Sequence, residues 1–255
     1  MRIRILLLLF IVASNVQESL ADEATIAVAT NFLGAARALQ QEFEVQTGHR
    51  IVLVSGSTGQ LYAQVINGAP YDVYLAADQE RPELLAESGL GIPETTISYA
   101  RGRLVLWSGQ LSEVSDIALS ELGELSFRFL ALADPDVAPY GAAARQVLER
   151  TGNEAVLGTR TVNGQNVAQA FAMTETGNAE LGLIALSQAV VYGGEGYYQL
   201  IPELLHEPII QDGIVLQRAA GNQAAVMFVE YLGSASAREL IRQFGYEAGQ
   251  ANLDQ

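Results

Sequence analysis

Apolar and polar positions along this chain switch between two periods, and the switches recur in a fixed order. Thr25–Ala29 is an apolar β-type run. Phe32, Ala36, Leu39 and Phe43 then fall on one helical stripe that stops before Gly48. Arg50–Val54 returns to a strand pattern, and Leu61, Tyr62, Val65 and Ile66 mark a short helix ended at Gly68. Tyr71–Ala76 predicts a third strand, followed by a helix near Pro82–Ser88 with proline in its first turn. This βαβαβ order predicts a parallel sheet covered by helices on both faces.

The alternation continues after a longer β-type stretch at Ile97–Ser108, which is placed to carry the chain out of a first lobe. Arg128–Ala133, Thr159–Val162 and Leu181–Ala185 predict strands, and Gly141–Arg150 and the segment from Val167 predict helices. Pro208–Leu216 reads as a return strand. Two helices close the chain, Ala224–Leu232 and one opened by a capping box at Ser236–Glu239. The expected organisation is an export segment at 1–21, a first lobe at 22–104, a second at 105–209, and a return to the first at 210–255. Each lobe is an α/β unit with a mostly parallel sheet flanked by helices.

Residues 1–21 stand apart from this alternation. Arg2 and Arg4 precede the apolar run Ile5–Ala13, and Ser19-Leu20-Ala21 is a small-x-small cleavage site. The run is too short to span a bilayer, and nothing later in the chain qualifies. The expectation is an exported periplasmic protein, cleaved after about Ala21, whose mature chain does not insert into a membrane.

Charge and composition remove several classes of function. The formal net charge is −15, and losing Arg2, Arg4 and Glu18 makes the remainder more acidic. Nucleic acid, which needs basic stripes, is an unsuitable partner. An acidic surface favours a soluble monomer. All 14 basic residues are arginine. Without lysine there is no P-loop phosphate transfer, no Schiff base and no Ser-Lys hydrolysis. Without cysteine there is no disulfide framework and no acylated anchor. His49 and His206 are too few and too distant for a metal site, and both are expected at the surface.

What remains is a set of turns where strands give way to helices. Thr30-Asn31 follows the first strand, and Gly56-Ser57-Thr58-Gly59 follows the second. Both are also good helix caps, and capping alone accounts for either one. Two such turns in consecutive βα units lie at the same edge of a parallel sheet, where ligands of α/β folds bind. In the second lobe, Tyr140-Gly141 opens a helix after a proline-stiffened loop, and Asn166-Val167 opens another. Tyr140 and Val167 can each offer a backbone N–H while their side chains are core. Four helix starts would surround a small oxyanion with donors and no cation.

At these residues the chain resembles the periplasmic molybdate-binding proteins of ABC uptake systems. The resemblance rests on ATNFLGAARALQQEF, SGSTGQLYAQVINGAPYDVYLAADQERPELL, LVLWS, DPDVAPYGAAARQVL, GQNVAQAFA, ELGLIALSQ and ELIRQFGY. It implies a two-lobed binding fold with two hinge crossings. It implies molybdate or tungstate as ligand, no cofactor, and a membrane permease as partner. It assigns the ligand contacts to Thr30, Asn31, Ser57, Thr58, and the backbone N–H groups of Tyr140 and Val167. Asn31 is expected to add a donor here, because some relatives use a tyrosine at the position of Ala185. Two other readings stand beside it. One is a binding protein for another oxyanion such as sulfate. The other is a hydrolase using Ser57 or Tyr140, for which no base or metal cluster is evident.

Overall fold

The computed structural model describes residues 22–248, so the expected export segment at 1–21 lies outside the described residues. The chain runs through β1 (Glu23–Ala29), α1 (Leu33–Thr47), β2 (Arg50–Gly56), α2 (Thr58–Ile66), β3 (Val73–Leu75), α3 (Glu80–Glu87) and β4 (Ile97–Gly102). It continues through β5 (Leu104–Ser108), β6 (Leu130–Ala133), α4 (Pro139–Arg150), α5 (Glu154–Leu157), β7 (Thr161–Gly164), α6 (Val167–Glu175), β8 (Leu181–Ala185), α7 (Leu186–Val191) and β9 (Tyr197–Leu200). It ends with β10 (Ile209–Val215), α8 (Gln223–Leu232), α9 (Ala235–Gln243) and β11 (Glu247–Ala248).

These strands form two sheets. The first has the order β11-β4-β10-β3-β1-β2, and the second β7-β6-β8-β5-β9. β1 lies parallel to β2 and β3, and β6 parallel to β7 and β8. The strands that carry or follow the crossings, β4, β5 and β10, pair antiparallel. Each lobe therefore has a parallel core edged by antiparallel strands. Ile97–Ser108 is two strands in different sheets, broken at Arg103. The chain crosses back between Leu200 and Ile209.

Register decides what happens at the sheet edges. Ala29 pairs with Gly56, one residue before Thr30 and Ser57. Ala133 pairs with Gly164 in the other lobe. The loops that follow start level with one another and face the gap between the lobes.

The cores follow the predicted stripes. Phe32, Ala36, Leu39 and Phe43 are all buried against Phe228 and Ile241. α1 ends at Gly48, whose φ of +76° suits glycine. The second lobe packs Trp107, Leu132, Val147 and Leu183 together.

Two local expectations are corrected. α9 is capped by Ser234, whose Oγ accepts from the Ala237 N–H at 3.1 Å, so the capping box at Ser236–Glu239 does not form. The helix starts earlier because Ala237 must already be in register with the buried Ile241. The two histidines are buried rather than at the surface, 6% and 4% exposed. His49 Nδ1 accepts from the Asp22 N–H at 3.1 Å and its ring stacks on Phe43. His206 Nδ1 sits 2.7 Å from the Glu207 carbonyl. Each ring finds a backbone partner at Nδ1.

Candidate functional site

Four helical starts face the space between the lobes. A 3-10 turn at Thr30–Phe32 links β1 to α1. α2 begins at Ser57, which is extended at φ −69°, ψ 153°, and whose Oγ accepts from the Gln60 N–H at 3.3 Å. Thr58 Oγ1 accepts from the Ala77 N–H at 3.1 Å. Each hydroxyl thus spends a lone pair on the backbone and keeps its proton for another acceptor. α4 opens with Pro139, which has no N–H, so its first donor is Tyr140. Glycine at 141 lets this helix begin against the end of β6, since a Cβ there would strike the Ala133 carbonyl. α6 is capped by Asn166, whose Oδ1 accepts from the Gln169 N–H at 3.0 Å. Val167 then heads the helix, where an N–H has no intrahelical acceptor, while its side chain is 3% exposed.

The structure brings all six expected residues together. Thr30, Asn31, Ser57, Thr58, Tyr140 and Val167 line one cavity with Ala29, Ala77, Ala138, Pro139 and Asn166. Its volume is about 10 Å³. No residue in this lining carries a charge. Ala185 ends β8, is buried, and does not line the cavity.

One side chain behaves differently from expectation. The Asn31 carboxamide does not supply the extra donor. Its Nδ2 donates to Gln211 Oε1 at 2.9 Å and to the Tyr246 hydroxyl at 3.1 Å, which uses both hydrogens. The Tyr140 hydroxyl points into the same buried network, where it accepts from Gln211 Nε2 at 3.3 Å. Glycine at 102 makes room for it, because a Cβ there would collide with that hydroxyl. Tyr99 joins through Gln211 Oε1 at 3.2 Å. Burial pushes the hydroxyls of Tyr99, Tyr140 and Tyr246 well above the ordinary tyrosine value, so all three stay neutral. Gln211, Tyr246 and Ser187, which bonds the Asn31 carbonyl at 3.0 Å, carry no sequence signal that marks them.

The bacterial extracellular solute-binding protein family matches residues 24–247. The chain belongs to that family. It is 41% identical over 230 residues to the molybdate-binding protein ModA of Azotobacter vinelandii, covering 89% of this chain and 90% of the relative. It is 37% identical over 226 residues to ModA of Rhodobacter capsulatus, covering 89% and 88%. The solved periplasmic molybdate-binding protein of Azotobacter vinelandii superposes with a TM-score of 0.83 at 35% identity, covering 89% of this chain and 100% of that one. As a solute-binding protein the chain is not an enzyme, which accounts for hydroxyls without a base. Among the described residues no helix is long and apolar enough to cross a membrane. The lobes of this solute-binding protein touch directly beside the cavity. The Gly59 N–H in α2 donates to the Val137 carbonyl of the other lobe at 2.8 Å. A Cβ at 59 would lie 3.1 Å from Val137, so glycine permits that approach. Outside this contact a larger recess of about 450 Å³ opens, lined by Asp78, Glu80, Arg81, Asp136 and Glu207 among others.

Proposed function

We propose that this protein captures molybdate or tungstate in the cavity between its lobes and delivers it to the membrane permease of an ABC transporter. Thr30, Asn31, Ser57, Thr58, Tyr140 and Val167 form the binding site, which uses no cofactor. The protein works as a periplasmic monomer. One observation carries this reading: helix starts from both lobes converge on a space with donors and no charged side chain. A fully ionised tetrahedral oxyanion is the complement of such a space. Hydrogen bonds to a charged group contribute about 1.5–3 kcal/mol each, and helix dipoles supply positive potential without a counter-ion. Arg81, Arg101 and Arg103 are engaged with Asp78, Glu203 and Glu247, none of which lines the cavity. The names of the ModA relatives agree with the ligand.

Anion choice follows from the same donors. Sulfate is smaller, so a cage fitted to molybdate stretches its hydrogen bonds. Protonated phosphate brings a hydrogen into a site built from donors. Selectivity is then a difference of affinities set by fit. Isothermal titration tests the proposal. Molybdate and tungstate are expected to bind one per chain, with sulfate much weaker. No heat from either metal oxyanion with folded protein overturns it. Sulfate binding as tightly as molybdate transfers the site to the smaller anion.

A further inference from the structure

Behind the first anion-facing turn lies a buried cluster that meets the Asn31 backbone carbonyl. Ser187, the second residue of α7, belongs to the second lobe. Its Oγ donates to the Asn31 carbonyl at 3.0 Å. Tyr246, beyond α9, belongs to the first lobe, and its hydroxyl reaches the same carbonyl at 2.6 Å. The two hydroxyls lie 3.0 Å from each other. These three oxygens share two protons. Whichever way the protons are arranged, the Asn31 carbonyl accepts at least one of them. All three residues are buried.

We propose that Ser187 is a closure latch: a positioning residue of the second lobe that locks the Thr30–Asn31 turn of the first lobe into its anion-gripping geometry when the lobes meet. The inference rests on the oxyanion reading above. Neither Ser187 nor Tyr246 lines the cavity, so neither touches the ligand. Both act on the turn from behind. The Asn31 carboxamide is already fixed by Gln211 and Tyr246, which lie in the first lobe with it. Those contacts survive when the lobes part. The Ser187 contact crosses between lobes and is lost when they part. It is therefore made only in the closed form, and a contact unique to one state favours whatever ligand that state holds. Ligand bound to the turn and Ser187 bound behind it stabilise the same closed arrangement.

The division of labour has a kinetic signature. Removing a contact present only in the closed form speeds opening and ligand release, and leaves capture by the open form unchanged. Stopped-flow measurement with molybdate on the full chain reads both rates. Ser187→Ala is expected to raise the dissociation rate about five- to tenfold, the effect of one buried hydrogen bond, with the association rate within about twofold. Its ligand-free melting temperature stays at the parent value. Tyr246→Phe keeps the ring and removes the hydroxyl, and lowers the ligand-free melting temperature as well, because its contacts with the Asn31 carbonyl and carboxamide lie within the first lobe. The double variant leaves the buried Asn31 carbonyl without either hydroxyl, and its dissociation rate exceeds the product of the single effects.

An unchanged dissociation rate in Ser187→Ala overturns the latch. So does a lower ligand-free melting temperature in that variant without faster release, which marks a serine that serves packing alone. If the parent protein itself takes neither molybdate nor tungstate, the oxyanion reading fails and the latch falls with it. If the parent binds and Ser187→Ala releases at the parent rate, the latch alone is wrong.

Discussion

Two concavities meet between the lobes, and they differ in chemistry more than in position. They share Ala77, Ala138 and Pro139. The inner one, about 10 Å³, is lined by helix starts, hydroxyls and apolar groups. The outer one, about 450 Å³, carries Asp78, Glu80, Asp136 and Glu207 against a single Arg81. That arginine is already paired with Asp78. Burial raises the Asp78 carboxyl in spite of it, so the recess is costly for negative charge even in its best-compensated corner. Size alone points to the outer recess as the binding site. For a dianion, the donors decide otherwise. On the proposed reading, grip and approach are assigned to different places: neutral short-range donors hold the ligand, and the acidic vestibule governs only how it arrives.

The largest effect comes from moving the vestibule's chemistry inward. Ser57→Asp keeps a good helix cap, since aspartate serves as well as serine there, so α2 should form normally. It also places an acceptor-only carboxylate in the cavity. A like-charge contact near 4 Å costs about 4 kcal/mol at an effective dielectric constant near 20, and the ligand carries two charges. Affinity for molybdate should fall at least about a thousandfold while the melting temperature changes little. Calorimetry and thermal unfolding read the two separately. Binding within about tenfold of the parent would mean that the anion rests somewhere other than beside Ser57.

A smaller effect is expected from neutralising the vestibule itself. Glu80 and Asp136 are exposed, and Asp136 has only a loose 3.7 Å pair with Arg145. Glu80→Gln with Asp136→Asn should raise the association rate about two- to threefold at low ionic strength, by relieving repulsion of the incoming anion. The dissociation rate should not move. In the parent, association should quicken as salt is added and the acidic field is screened, and the double variant should show less of that dependence. Stopped-flow traces across a salt series test both. A change in dissociation instead would put these carboxylates in contact with the ligand and erase the distinction between the two spaces.

The inner space was legible in the sequence because each of its parts is local. A hydroxyl or amide at the end of a strand, a proline at a first helical position and a glycine behind it are decided within a few residues. Parallel pairing then aligns them without further information. The orientation of Asn31 was not legible. Its partners Gln211, Ser187 and Tyr246 lie 180, 156 and 215 positions away, and no spacing rule links them. The same limit explains the cap of α9, where Ser234 and Ser236 are equally good locally and the buried face chooses. β9 carries little sequence signal because Tyr197–Leu200 is a short edge strand with exposed tyrosines, and the continuous β-type pattern of Ile97–Ser108 spans a change of sheet at Arg103.

The finest test of the comparison separates backbone from side chain at one residue. Val167 heads α6, and its side chain packs in the second-lobe core while the residue also lines the cavity. Val167→Ala removes two buried carbons and should cost about 1.5 kcal/mol of stability, read by denaturant unfolding. The amide remains in place, because Asn166 still caps the helix from outside. Molybdate affinity should therefore stay within about twofold. A tenfold loss would show that the cavity grips by the shape of its apolar wall, and the contrast with the charged vestibule would then be one of fit rather than of neutral donors.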